Sequence, residues 1–225
     1  MKIVVITGAS RGIGLATAKK FLAEEWRVIG TYWHTPVSLN APNFVAVKMN
    51  QGNFESIAQA VDAIKAHTQS IDVLVNNAGI NPDGRDEGVN LKKIRETFDV
   101  NLFGLIDITE RLLPAMTAGS HVVNIDSNYG AFSFPIDDNT AVGYRLSKTA
   151  LNMYTRTLAF RLQEKGIVVS SLDPGWVKTD MGMSVSSTTE QPDREPEQPA
   201  QEIYTLVTTI TESGCFWKFG KKREW

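Results

Sequence analysis

The chain has little cysteine, little histidine and no long apolar run, and each shortage removes a class of function. One cysteine, Cys215, in 225 residues cannot make an intrachain disulfide, which fits a reducing compartment. His34, His67 and His121 are scattered without ligand spacing, so no metal site is expected. No stretch approaches the length needed to span a bilayer. The apolar opening is too short and strand-like for a secretory signal, so a soluble, cytoplasmic protein is expected, without membrane contact. A formal net charge of −2 gives no broad attraction to nucleic acid. Only Lys221-Lys222-Arg223 forms a basic run, and it reads as a solvated tail.

What the chain does have is alternation. Apolar, strand-like segments at 2–6, 27–32, 43–48, 71–76, 121–126, 167–172 and 215–219 are separated by helical patterns at 13–25, 53–68, 91–118, 142–164 and 197–212. That order is the signature of an α/β fold. It predicts a Rossmann-type doubly wound parallel sheet of about seven strands with helices on both faces, in a single domain over 1–225. Residues 184–199, rich in Ser, Thr, Glu and Pro, interrupt the pattern and read either as a mobile lid or as an inert excursion. Leu151, Tyr154, Leu158 and Leu162 recur at helical spacing. Such a stripe either covers the protomer's own sheet or joins two copies.

Two constellations carry chemistry. The first is Thr7-Gly8-Ala9-Ser10-Arg11-Gly12-Ile13-Gly14, between a strand and a helix. Gly8 allows a sharp reversal, while Gly12 and Gly14 let the helix approach a pyrophosphate and the neighbouring strand. The unpaired N–H groups and positive dipole end of that helix favour phosphates without a metal. The second is Tyr144-x-x-x-Lys148, preceded by Ser127 and Asn101. A spacing of four sets phenol and ammonium a turn apart on one helix face. A tyrosine that exchanges its proton near neutrality needs a shift of roughly three units, and a lysine with a nicotinamide cation supplies a field of that sign.

Together these residues resemble the short-chain dehydrogenase/reductase family along essentially the whole chain. The family's Thr-Gly-x-x-x-Gly-x-Gly is matched at 7–14, and its Asn-Asn-Ala-Gly by Asn76-Asn77-Ala78-Gly79. Its active-site Asn, Ser, Tyr and Lys fall on Asn101, Ser127, Tyr144 and Lys148, and Pro174-Gly175 with Thr179-Asp180-Met181 is similar to its cofactor-capping segment. The ending, Ser213-Gly214 through Phe216-Trp217 to Trp225, is similar to the C-factor-like carbonyl reductase branch. The resemblance implies that Tyr144 donates a proton, that Ser127 orients the substrate oxygen, and that Lys148 tunes Tyr144 and binds ribose. It also implies that Asn101 stabilises a helix irregularity leading to Lys148, and that two copies pair through 91–118 and 142–164. The candidate cofactor contacts are Gly8, Ser10, Arg11, Gly12, Ile13, Gly14, Asn50, Asn76, Ala78, Gly79, Tyr144, Lys148, Pro174, Gly175, Val177 and Thr179.

Cofactor choice turns on the adenosine ribose. No acidic residue follows the second strand in Thr31-Tyr32-Trp33-His34, while Arg11 suits a 2′-phosphate, so NADP(H) is favoured and NAD(H) remains an alternative. Asn50 stands where the family often has an aspartate. Asp126 replaces a small residue before Ser127, and strand alternation is expected to turn it away from that serine. Phe132, Phe134, Trp176, Met181 and Met183 are candidate pocket walls or plain packing. The expected activity is NAD(P)H-dependent reduction of a ketone or aldehyde. The alternative is a cofactor-binding regulatory or signalling protein with little turnover.

Overall fold

β-Branched residues dominate the segments that pair into the sheet. In the computed structural model, which describes residues 1–225, they form β1 (Ile3–Ile6), β2 (Arg27–Tyr32), β3 (Phe44–Lys48), β4 (Val73–Asn76), β5 (His121–Ile125), β6 (Val168–Asp173) and β7 (Cys215–Lys218). All seven are parallel, in the order β3-β2-β1-β4-β5-β6-β7. β4 and β5 are buried throughout, as central strands covered on both faces must be.

The helices are α1 (Gly12–Ala23), α2 (Phe54–His67), α3 (Leu91–Phe98), α4 (Leu105–Leu112), α5 (Val142–Leu162), α6 (Asp180–Ser184) and α7 (Glu197–Thr209). Strand alternation sorts the core into two layers. Val5, Ile29, Leu74, Val122 and Val169 pack with residues of α2, α4 and α5. Val4, Ile6, Val28, Val75 and Val123 pack with α1 and α7, where Phe21 meets Trp26 edge-on at 4.9 Å. The result is the doubly wound Rossmann-like arrangement, with every strand carboxyl end of the parallel set on one rim. No helix is long and apolar enough to cross a membrane.

Four local expectations need correction. The helix expected over 91–118 is broken, because Asp99–Gly104 forms a π-helical turn between α3 and α4. The widened turn presses Gly104 onto the loop after β3, where an added Cβ would lie 1.8 Å from the Gln51 carbonyl oxygen. The basic run is exposed but is no free tail. Phe219 and Gly220, at φ +54° and +71°, make a two-residue hairpin, and β8 (Lys221–Arg223) returns antiparallel to β7.

The stripe formed by Leu151, Leu158 and Leu162 is buried in the protomer's own core, because that face of α5 covers the sheet. The apolar side chains left exposed on α5 are Leu146, Met153 and Phe160. Finally, the excursion is shorter than 184–199. Arg194 is buried against the Pro174 carbonyl and Glu202, it pairs with Val177 through an isolated bridge, and α7 already begins at Glu197.

Candidate active site

The rim is sewn together first at β1 and β4. The Thr7 hydroxyl, fully buried, accepts from the Asn77 and Ala78 amides at 3.0 Å each. The Asn77 amide nitrogen donates to the carbonyls of Thr7 and Gly8 at 2.9 and 3.1 Å. Gly8 reverses the chain at φ +69°, and a Cβ on Gly14 would fall 2.2 Å from the Gly8 oxygen. Helix α1 therefore starts hard against the turn. Its N-cap, Arg11, gives no side-chain cap, and the first turn holds no acidic residue. The first N–H groups are left for an anion. A Cβ on Gly12 would come 2.9 Å from the Thr179 methyl, so the start of α6 roofs the same turn. This bare-backbone cradle fits a dinucleotide pyrophosphate.

A cleft of about 1690 Å³ runs along the strand ends from that cradle. It gathers Gly8, Ser10, Arg11, Gly12, Ile13, Asn50, Ala78, Gly79, Ser127, Tyr144, Lys148, Pro174, Gly175, Val177 and Thr179. Three expected site residues stand behind the wall. Gly14 acts by letting α1 close on Gly8. Asn76 turns into the sheet interior, where it donates to Thr109 Oγ1 and Asn124 Oδ1, so its neighbour Asn77 is the asparagine of the cleft. Asn101 is buried in the π turn, where it accepts from the Ile80 amide at 2.8 Å and donates to the Ile80 carbonyl and to Ser147 Oγ. Of the apolar candidates, Trp176 and Met181 line the cleft. Phe132, Phe134 and Met183 do not: Phe132 and Met183 are exposed, and Phe134 packs beside Tyr129 with ring centres 6.1 Å apart.

At the far end, the loop after β5 carries Ser127 into a single 3₁₀ turn whose Gly130 packs on the Lys148 backbone, with room for no Cβ. The amide of Asn152 donates to the Gly130 carbonyl and ties this turn to α5. Asp83 accepts from the Gly143 amide at 2.5 Å, which places a carboxylate at the N-terminus of α5, one residue before Tyr144. Lys148 Nζ donates to the Ile125 carbonyl at 2.7 Å and lies 5.6 Å from the Tyr144 ring centre.

The charges at this end differ from the simple expectation. Burial pushes the Tyr144 phenol well above its usual range, joined by Asp126 whenever that residue is ionised and by Asp173, against a weaker pull from hydrogen bonding with Ser127. Lys148 alone does not reverse this. Its own ammonium is held below the ordinary lysine range by burial, and the two aspartates resist that shift.

Sequence reasoning missed three positions. Asn77 stood inside a quoted motif but was passed over for Asn76. Gln51 donates to the carbonyls of Ala78 and Val100 and so links the β3, β4 and π-turn loops; no local pattern marks it. Asp83 caps a helix 60 residues away, beyond any short-range signal. Replacing Thr7 by Val is expected to cost about 2–4 kcal/mol, because two buried amides lose their acceptor. Thr7→Ser keeps the oxygen and is expected to cost about 1 kcal/mol for one methyl. Urea unfolding midpoints of the two variants check the difference.

Comparison with known proteins agrees with this geometry. The family model described as short chain dehydrogenase matches residues 2–190. The 3-oxoacyl-[acyl-carrier-protein] reductase FabG of Aquifex aeolicus is 33% identical over 229 residues, covering 93% of this chain and 91% of that one. The C-signal of Myxococcus xanthus is 37% identical over 118 residues, 51% of this chain and 70% of that protein. Among solved structures, NADPH-bound carbonyl reductase from chicken fatty liver superposes with a TM-score of 0.87 at 26% identity, covering 100% of this chain and 94% of that one. With most of its length matched and with the glycine turn, Ser127, Tyr144 and Lys148 on one cleft, the chain belongs to the short-chain dehydrogenase/reductase family of NAD(P)-dependent oxidoreductases.

Proposed function

We propose that the protein reduces a ketone or aldehyde to the alcohol, with NADPH favoured over NADH. The observation that carries this reading is the meeting of Ser127, Tyr144 and Lys148 on the wall of the cleft that begins at the glycine turn. Bound reduced nicotinamide supplies a hydride to the carbonyl carbon. Negative charge then builds on the carbonyl oxygen, and donors already in place there lower the barrier. Ser127 orients that oxygen and Tyr144 hands it the phenolic proton, while the ammonium of Lys148 offsets the charge left behind. Tyr144 holds its proton through neutrality, and because burial makes the phenol a weaker acid, donation leans on the neighbouring Lys148. Tyr129, Trp176 and Met181 flank the cleft and suit an apolar substrate.

The preference for NADPH rests on Arg11. Its guanidinium meets Asp180 at 2.7 Å, but both side chains are largely exposed, and a pair of that kind is weak enough for a 2′-phosphate to replace the carboxylate. Beyond β2 the cleft presents Trp33 and His34, with no acidic side chain to compete. A homodimer completes the reading, seated on the exposed stripe Leu146, Met153 and Phe160 of α5, whose spacing of seven keeps the three on one helix face. A second reading, a cofactor-binding signalling protein with little turnover, draws on the partial match to the C-signal.

Tryptophan fluorescence titrated with NADPH and NADH, followed by a carbonyl panel read at the nicotinamide absorbance, separates the two readings. Turnover supports the reductase; tight binding with no turnover favours the signalling protein. In the same assays Tyr144→Phe is expected to leave NADPH binding largely intact and to lower turnover by at least about 100-fold, since proton donation acts in the transition state. Arg11→Ala is expected to weaken NADPH about ten- to a hundredfold and to leave NADH nearly unchanged. Equal loss for both cofactors would place Arg11 on the shared pyrophosphate instead. Light scattering at micromolar concentration is expected to give twice the chain mass, reduced to one by Phe160→Glu.

A further inference from the structure

Asp126 does not turn away from Ser127 as strand alternation led us to expect. Its side chain is buried beside the catalytic end, where Oδ1 accepts from the Ser127 amide at 2.8 Å and Oδ2 lies 3.2 Å from Ser171 Oγ. Ser171 Oγ is in turn 2.9 Å from Asn152 Oδ1. The orientation of that amide is fixed, because its nitrogen donates to the Gly130 carbonyl at 3.1 Å. The Ser171 hydroxyl therefore stands between two acceptor oxygens with one proton to give. If Asp126 is ionised, one of the two buried contacts must go unmade. If Asp126 carries a proton on Oδ2, every contact is satisfied in one direction, from Asp126 to Ser171, from Ser171 to Asn152, and from Asn152 to the Gly130 carbonyl. That last turn is the one packed on the Lys148 backbone.

Burial favours the same state, against the pull of the one cation that faces the carboxyl. Lys148 faces Asp126 from α5, Tyr144 lies one turn before it, and Asp173 at the end of β6 is paired with Lys218 of β7 at 2.7 Å. Lys218 offsets part of the charge of Asp173, and the remainder still acts on Asp126 and Tyr144. With Asp126 neutral the site keeps the one positive charge of Lys148, and with Asp126 ionised that charge is offset. Burial, with help from Asp173, pushes the Asp126 carboxyl up to about 7, while Lys148 and the hydrogen bonds from Ser127 and Ser171 pull it down.

We infer that Asp126 is a positioning residue that keeps its proton in the working protein, fixing the Ser127 turn while leaving the charge of Lys148 free to act on Tyr144. The consequence for catalysis rests on the reductase reading above. Ionisation of Asp126 adds a negative charge that makes Tyr144 a poorer proton donor and holds back its phenolate.

Asp126→Asn tests this, because an amide copies the protonated carboxyl: its oxygen accepts from Ser127 and its nitrogen donates to Ser171. The first measurement needs no substrate. A carboxyl held more tightly protonated when folded than when unfolded stabilises the fold fully at low pH and loses that contribution as pH rises to its folded value. The urea midpoint of the wild-type protein is therefore expected to fall relative to Asp126→Asn between about 4 and about 7, and the gap to level off above. A gap that stays flat over this interval, or an Asn variant that is the less stable at neutrality, overturns the proposal.

The second measurement reads Tyr144 directly through phenolate absorbance, assigned by difference from Tyr144→Phe. Asp126→Asn is expected to ionise Tyr144 at lower pH than wild type, and an unchanged titration overturns the proposal. With an accepted carbonyl, wild-type kcat/KM is expected to drop about tenfold to a lower plateau above neutrality, a step absent in Asp126→Asn. A step that persists in the Asn variant belongs to another group and overturns the catalytic link. If no variant turns over any carbonyl while the stability gap and the phenolate shift appear as expected, the reductase reading fails and the proton on Asp126 stands.

Discussion

The carbonyl oxygen of Gly8 occupies the space that a side chain on Gly14 would need, so α1 can begin where it does only with bare backbone at the crossing. From that contact the rest of the cleft follows in a chain of hydrogen bonds. The Asn77 side chain holds the two carbonyls of the turn, and the Thr7 hydroxyl fixes the amides of Asn77 and Ala78. Gln51 takes hold of the Ala78 carbonyl and, with the same nitrogen, of Val100 in the π turn. Asn101, next in that turn, reaches Ser147, the neighbour of Lys148. The phosphate end and the proton-transfer end are thus parts of one framework.

At the proton-transfer end the structure accepts an arrangement that is costly by itself. Two acids and two lysines are gathered where little water reaches, and burying such charges is unfavourable unless partners are close. Asp173 finds Lys218 and the Gly175 amide, so its charge also shapes the Pro174-Gly175 bend at the cleft wall. Lys148 finds a backbone carbonyl, which orients its ammonium without neutralising it. Orientation without neutralisation is what a group meant to influence a nearby phenol needs.

The fold was legible because strand and helix periodicities differ, and the seven parallel strands lie within a residue or two of their expected places. The glycine turn and the Tyr144, Lys148 and Ser127 set were legible because each sits at a fixed local spacing. What escaped depends on contacts distant in sequence. Asn76 and Asn77 are adjacent and chemically identical, and only the pleat of β4 decides which one meets the cleft. The side chain of Asp126 was expected to alternate away from Ser127, but β5 ends at Ile125 and the carboxyl takes the Ser127 amide and meets Ser171 of β6. The α5 stripe was a true periodicity read with two possible partners, and the sheet of the same chain took it. β8 escaped because the aromatic Phe219, at positive φ, occupies a hairpin position where Asn or Gly is the usual signal.

The β7–β8 hairpin has a bearing on how the molecule stays dispersed. β7 carries Cys215, Phe216 and Trp217, an apolar strand that, left as the sheet's edge, would offer unpaired amides and carbonyls to any other extended chain. β8 takes up that edge and replaces it with three exposed cationic side chains. A second molecule approaching edge to edge meets like charge where it would otherwise find a template for pairing. The small strand therefore guards against aggregation, and shortening the chain by its final residues would reopen a sticky border far from the cleft while leaving the cofactor cradle and Tyr144 in place.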